Sequence, residues 1–234
     1  MIISSSAIVL SKLKYRDNDL IIKLFVRELG LTSFIVRGGS KKNKINYFQQ
    51  LSLLEIEFDF NSKKNLHYFK DFESKYNLKT IHTDFKKMGV IIFLSEVLSK
   101  ILIHQQKDYH LYDFIEEAIK HYDKYVFSST FHIVFLINLS KFLGFYPDMK
   151  NNNYRYFDLQ HGFYTDTKDS DYIIYDDDLK CFNKILGINF DDLNTLTLTF
   201  VQRKKLLDNI ILYYRLHIEN FVSVKSLEVL RKLF

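Results

Sequence analysis

The sequence predicts an α+β protein in which a small five-stranded β-barrel precedes an α-helical bundle. Apolar side chains over residues 1–80 recur with a period of two, which is typical of strands, and beyond Thr80 they recur at helical spacing. The charge divides the chain at the same point: residues 1–80 carry 14 Lys and Arg against 8 Asp and Glu, whereas residues 81–234 carry 19 against 20. We therefore expect two domains, 1–80 and 81–234, with the excess positive charge in the first.

Strands are expected over residues 2–13, 19–27, 31–37, 51–60 and 66–72. The alternation is clearest in the second strand, whose one face is apolar: Leu20, Ile22, Leu24 and Val26. Its other face mixes aromatic and cationic side chains, and a tight turn follows that ends on Gly30. Five short strands with a longer connection after the third are typical of a Greek-key barrel. An OB-type barrel is our expectation, and an SH3-like barrel is the alternative.

Helices are expected throughout most of the second domain. The first begins after Asp84, a suitable N-cap, and the others cover about residues 110–122, 128–143, 177–186, 199–220 and 226–233. Gly144, with Pro147 shortly beyond it, ends the third helix. Residues 146–175 are rich in turn-forming residues, which predicts a small irregular insertion with a hairpin at 156–164.

Composition and motifs argue against several classes of protein. The sequence contains no run of about 18 apolar residues, so we expect no transmembrane helix. The N-terminus lacks the basic leader of a signal peptide. A single cysteine, Cys181, excludes an internal disulfide and fits a reducing cytoplasm. The catalytic motifs GxSxG, HExxH and GxxxxGK are missing, and the acids at 176–178 are typical of a helix N-terminus. We therefore expect a cytoplasmic protein that is not an enzyme.

The most informative segment is the basic loop at residues 37–44, which carries four cations and two glycines between predicted strands. Gly38 and Gly39 permit a sharp turn and close approach of the backbone. Because the cations have no apolar face to bury, a polyanion such as a phosphate backbone is a suitable partner. A solvated basic turn is the alternative interpretation.

Several segments, in this order along the chain, resemble the RecO family of bacterial recombination mediators. These segments are Lys14-Tyr15-Arg16-Asp17-Asn18-Asp19, Phe25-Val26-Arg27-Glu28-Leu29-Gly30-Leu31, Arg37-Gly38-Gly39-Ser40-Lys41-Lys42 with Phe48-Gln49-Gln50-Leu51, Leu143-Gly144-Phe145-Tyr146-Pro147, and Tyr214-Arg215-Leu216-His217-Ile218 with Lys225-Ser226-Leu227-Glu228-Val229-Leu230. None is specific alone, but together they span nearly the full length.

The resemblance implies an N-terminal OB domain and a C-terminal helical domain. It also implies a bacterial DNA repair protein that binds single- and double-stranded DNA and anneals complementary strands. Its implied partners are RecR and the C-terminal tail of the single-stranded-DNA-binding protein (SSB), with which it loads the recombinase. No cofactor or small-molecule substrate is implied.

One departure from the family concerns zinc. Many members carry a four-cysteine zinc module after the segment that matches residues 143–147, whereas residues 148–180 contain no cysteine. A structural zinc needs four ligands, and His161 alone cannot supply them. We therefore predict no metal, and we expect aromatic packing to hold the insertion together.

For DNA binding we expect a cationic groove with stacking aromatic rings, as in barrels that bind single strands. The cationic candidates lie on the first three strands and their loops: Lys12, Lys14, Arg16, Lys23, Arg27, Arg37, Lys41, Lys42 and Lys44. The candidate stacking rings, each of which could instead belong to the core, are Tyr15, Phe25 and Phe34.

The acidic, Phe-terminated SSB tail needs an apolar pocket beside cations in the helical domain. Candidates are Lys100, His104, Lys107 and Arg215, for which solvated helix faces are the alternative. Two other functions stay open at this point. An RNA-binding OB module, such as a translation or ribosome-maturation factor, would share the charge asymmetry, and a protein-interaction adaptor would show no salt-sensitive binding of nucleic acid.

Overall fold

The computed structural model describes residues 1–41, 44–104, 107–221 and 223–233. Five strands form the N-terminal part of the molecule: β1 Ile2–Tyr15, β2 Asp19–Val26, β3 Gly30–Val36, β4 Leu53–Asp59 and β5 His67–Ser74. They pair in the order β1-β2-β3-β5-β4 and close into a barrel, with β3 and β5 parallel and the other pairs antiparallel. A five-stranded Greek-key barrel of this kind confirms the predicted OB type.

The barrel core follows from the alternation in β2. Leu20, Ile22, Leu24 and Val26 are all buried in one cluster, as the period of two predicts. Aromatic rings fill the space between β3, β4 and β5: Phe34 stacks on Phe69 at 4.4 Å between ring centroids and meets the edge of Phe58 at 5.0 Å. Burial of such large side chains contributes much of the stability of a small barrel.

The described residues beyond the barrel form six α-helices: α1 Phe85–Ile101, α2 Tyr109–Lys124, α3 Phe131–Phe142, α4 Asp176–Ile185, α5 Phe200–His217 and α6 Ser226–Leu233. The Asp84 carboxylate accepts hydrogen bonds from the backbone N–H groups of Lys86 and Lys87, which confirms it as the N-cap of α1. The 3₁₀ helix Phe190–Thr195 was not expected from the sequence. Within the described residues, no helix has both the length and the apolar character needed to cross a membrane.

The segment between α3 and α4 is more regular than predicted. The expected hairpin is present as β6 Tyr156–Asp158 and β7 Phe163–Thr165, and a third strand, β8 Ile173–Tyr175, pairs with the other edge of β6. Buried Phe157 lies 5.0 Å from Tyr164 and 4.8 Å from Phe182, measured between ring centroids. Aromatic packing therefore holds this small sheet on α4, as expected.

By compactness the chain divides into two units. One comprises Met1–Val126 with Val224–Leu233, and the other comprises Phe127–Ser223. The barrel therefore shares its unit with α1, α2 and α6. The predicted boundary at residue 80 falls between the end of β5 and the start of α1, and as a domain boundary it stays a prediction.

A buried carboxylate fixes the connection between the barrel and α1. The side chain of Asp123, at the end of α2, accepts hydrogen bonds from the backbone N–H groups of Lys79, Thr80 and Ile81 at 2.7–3.1 Å. Buried Lys87 donates to the Tyr122 carbonyl and to the Thr80 hydroxyl, each at 2.7 Å. These bonds satisfy backbone groups that would otherwise be buried without partners.

Candidate nucleic-acid interface

The basic loop lies beside the β1–β2 turn at one end of the barrel. The Asp19 carboxylate accepts a hydrogen bond from the Gly38 N–H at 2.9 Å, and the Ser40 N–H donates to the Asn18 carbonyl at 3.0 Å. Gly38 has a φ of +62°, which favours glycine. The described part of the basic loop is thereby tied to the β1–β2 turn that carries Arg16. Lys42, also predicted to bind DNA, lies outside the described residues.

Gly39 allows this loop to approach the barrel closely. A Cβ atom added there would lie 3.0 Å from the Cβ of Val36 and 3.1 Å from a methyl group of Leu20. Any other side chain there would press against both residues, so the glycine permits the close approach predicted for the pair. The side chains of Arg37 and Lys41, on either side of the glycines, are exposed.

A groove of about 720 Å³ begins at Arg37 and follows β3 and β5. Its cations are Arg37, Lys44 and Lys70, and its exposed rings are Tyr47 and Tyr68. The Arg37 guanidinium lies 5.3 Å from the centre of the Tyr68 ring. The Lys70 ammonium lies 3.5 Å from the Asp59 carboxylate, and both side chains are exposed. Because an exposed ion pair is weak, replacing this carboxylate by a phosphate costs little free energy. One acid, Asp71, also lines the groove.

The groove combines the two features that barrels use to hold single strands, a cationic path and accessible ring faces. Tyr68 is 49% exposed and Tyr47 is 38% exposed. Neither tyrosine was predicted from the sequence to bind DNA, and nor was Lys70. The signal was available in β5, where His67 and Phe69 point into the barrel, so that Tyr68 and Lys70 must point out.

The three predicted stacking rings are distributed differently from expectation. Tyr15 is half-buried and lies 5.1 Å from the Arg16 guanidinium. Phe25 and Phe34 are at most 1% exposed, the first against Tyr112 of α2 and the second against Phe69. The expectation that these two phenylalanines stack on bases therefore needs correction, because neither ring face is accessible.

The lysines of β1 and β2 do not share one face. A bulge between Val9 and Ser11 shifts the register, so that Lys12 pairs with Ile22 and Lys14 with Leu20, while Lys23 pairs with Ser11. Directly opposite residues lie on the same face of a sheet, so Lys23 lies on the other face from Lys12 and Lys14. Lys12 is also half-buried, and this burial lowers its pKa.

Arg27 lies away from the basic loop. It follows the end of β2, and Asp19 begins the same strand, so about 25 Å of strand separates the two. Its guanidinium donates two hydrogen bonds to Asp113, at 2.9 and 3.1 Å. Arg27 therefore takes part in an exposed contact with α2, which argues against its expected place in the DNA interface.

We expect Arg27→Ala to leave affinity for single-stranded DNA within about twofold of the unchanged protein, because no phosphate contact is lost. Titration of a fluorescent oligonucleotide measures this affinity, and Asp113→Ala is the matched control for loss of the ion pair. A loss of affinity with Arg27→Ala but not with Asp113→Ala would instead place Arg27 on the DNA.

The candidates for the SSB tail are divided between the two compact units. Lys100 pairs with Glu96 at 3.6 Å, His104 ends the 3₁₀ turn Leu102–His104, and the Lys107 ammonium lies 5.6 Å from the Tyr109 ring. Arg215 is exposed on α5 in the other unit. A tail site built from all four stays a prediction.

The residues after α3 do not fit a structural zinc. Cys181 is a buried free thiol on α4, and burial raises its pKa, which disfavours the thiolate that zinc requires. His161 Nδ1 lies 2.8 Å from the Asp158 carboxylate, and among the described residues no group of three His, Cys, Asp or Glu side chains could hold a metal ion. In this segment the hydrophobic packing of Phe157 provides the stabilisation that a structural zinc would otherwise provide.

A closed five-stranded barrel with a cationic, aromatic groove is characteristic of OB-fold proteins, a class that binds oligonucleotides and oligosaccharides. The family model for the N-terminal part of recombination protein O matches residues 1–77, and the model for its C-terminal part matches residues 82–228. The chain therefore belongs to the RecO family of DNA repair proteins.

Proteins from several bacteria are similar over the whole chain. Two of them, from Flavobacterium psychrophilum and Flavobacterium johnsoniae, are each 35% identical, and one from Christiangramia forsetii is 32% identical. Each alignment covers 100% of both chains, and each relative is named DNA repair protein RecO. These matches agree with the two family models.

Proposed function

We propose that this protein binds single-stranded DNA along the groove of its barrel and promotes annealing of complementary strands. The observation that carries the proposal is the groove itself, in which Arg37, Lys44 and Lys70 lie beside the exposed rings of Tyr47 and Tyr68. Cations of this kind neutralise phosphates, and tyrosine rings stack on bases of any sequence.

The same arrangement accounts for annealing. Neutralised phosphates lower the repulsion between two strands, which otherwise opposes their approach. A base that stacks on Tyr68 uses the face of its ring, so its hydrogen-bonding edge stays free to pair with a second strand. The protein needs no catalytic group for this function, and we propose that it is not an enzyme.

Membership of the family supports the wider role of a recombination mediator. In this role the protein works in the bacterial cytoplasm with RecR and with the SSB tail, binds duplex as well as single-stranded DNA, and helps to load the recombinase. The competing functions are an RNA-binding module and a pure protein adaptor. Competition between single-stranded DNA and RNA distinguishes the first, and the second predicts no salt-sensitive binding of nucleic acid.

The test is a titration of labelled single-stranded DNA over about 50–200 mM salt. We expect affinity to fall steeply with salt, with a log–log slope of about −0.7 for each neutralised phosphate. Lys41→Glu with Lys42→Glu is expected to lower affinity about tenfold at low salt and to flatten this slope without unfolding the protein.

The control is Lys150→Glu with Lys184→Glu, which makes the same change of charge at two exposed lysines of the other compact unit. It should leave the slope unchanged. The proposal that the basic loop contacts DNA would be overturned by an affinity that does not change with salt. Equal losses of affinity in the two double variants would overturn it as well.

A further inference from the structure

A second pocket, of about 350 Å³, adjoins the cationic groove. The two share Tyr47, which lies on the 3₁₀ turn Ile45–Phe48 and meets the edge of the Phe72 ring at 5.5 Å between centroids. Other lining residues come from the end of β5 and the chain beyond it, including Tyr76 and Asn77. A DNA strand that follows the groove past Tyr47 therefore reaches this pocket next.

The two neighbouring cavities differ sharply in charge. Three of the described residues that line the groove are cations, whereas none of those that line the pocket carries a formal charge at neutral pH. His82 is the one titratable histidine among them, and burial lowers its pKa, so its ring is neutral. A phosphate would prefer the groove, and the pocket suits an uncharged polar group.

The side chains of the pocket offer both donors and acceptors around an aromatic ring. Asn46, Gln49 and Asn77 each carry an amide, which can donate and accept. The His82 Nε2 lies 2.8 Å from the Gln50 carbonyl and must donate to it, which leaves Nδ1 as an acceptor. Tyr76 is 38% exposed, so part of its ring is accessible to a ligand.

We infer that this pocket holds one nucleobase of the bound strand, stacked on Tyr76 and hydrogen-bonded by the surrounding amides. The inference rests on the proposed function, because the groove delivers the strand to the pocket. Amides can match the edge of any base by rotation, so the pocket binds bases without a marked preference for sequence. One nucleotide is anchored there, while its neighbours in the groove keep their edges free for pairing.

The test compares two dodecamers with the same phosphate charge, oligo-dT and a fully abasic analogue. The wild-type protein is expected to bind oligo-dT more tightly than the abasic strand. Tyr76→Ala with Asn77→Ala should lower affinity for oligo-dT about tenfold, leave affinity for the abasic strand unchanged, and preserve the salt slope. Tyr76→Phe, which keeps the ring, should retain stacking to within about twofold.

Tyr172→Ala is the matched control, since Tyr172 is 37% exposed and Tyr76 is 38% exposed. It should not change affinity for either strand. If the double variant binds oligo-dT as the wild type does, or loses affinity for both strands equally, the base pocket is refuted while groove binding stands. If the wild type binds neither strand, the proposed function fails and the pocket fails with it.

Discussion

Arg37→Glu with Lys70→Glu is expected to lower affinity for single-stranded DNA about a hundredfold or more at low salt. Each of the two substitutions removes a charged hydrogen bond to a phosphate, worth about 1.5–3 kcal/mol, and places a repulsive carboxylate in the groove. The log–log slope with salt should become shallower by about 1.4, which corresponds to two lost phosphate contacts. Fluorescence anisotropy over a salt series measures both quantities.

The matched control is Lys204→Glu with Arg215→Glu, which reverses one lysine and one arginine exposed on α5. It should leave affinity within about twofold, since neither residue belongs to the groove. Comparable losses in both double variants would mean that net charge, and not the groove, determines binding. Unfolding midpoints should match for all these proteins, because every replaced side chain is at the surface.

Asp123→Ala is expected to lower the free energy of unfolding by about 3–5 kcal/mol, the cost of breaking a buried charged network. Asp123 is only 3% exposed, and its loss leaves the N–H groups of residues 79–81 without their acceptor. Urea denaturation followed by circular dichroism measures the change. Asp113→Ala, on the same helix but exposed, should cost less than about 1 kcal/mol.

The pKa of the same carboxylate determines how its contribution to stability depends on pH. Burial alone would raise the pKa of Asp123, but hydrogen bonds from Lys79, Thr80 and Ile81 outweigh it and hold the pKa below its ordinary value. Its stabilising contribution is therefore complete above about pH 4 and is lost as pH falls through the lowered pKa of the folded state. The difference between wild type and Asp123→Ala should shrink in acid. A difference that stays constant down to about pH 2 would contradict this assignment.

Local periodicity accounts for the parts of the fold that could be predicted. The alternation in β2 identified the buried face, and Asp84 identified the start of α1, because both signals depend on neighbours in sequence. The aromatic packing in the segment after α3 was also predictable, since residues 148–180 contain no cysteine that could bind zinc.

Contacts between distant segments explain the rest. Phe25 lies on the outer face of β2, where it packs against Tyr112 of α2 and is buried. The bulge between Val9 and Ser11 inserts one residue, which redirects Lys12 and Lys14 without any change in composition. The hydrogen bonds that Asp123 accepts span more than 40 residues, so no local pattern marks them. Tyr68 and Lys70 are different, because the alternation in β5 predicts them.

The most direct test of the central claim is photocrosslinking of an oligonucleotide that contains 5-iodo-deoxyuridine, followed by mass spectrometry. This base crosslinks to aromatic side chains on which it stacks. If the strand follows the groove, the crosslinked peptides contain Tyr68 and Tyr47, and Arg37→Glu with Lys70→Glu abolishes the crosslinks. Crosslinks confined to peptides outside the barrel, unaffected by that double variant, would contradict the account.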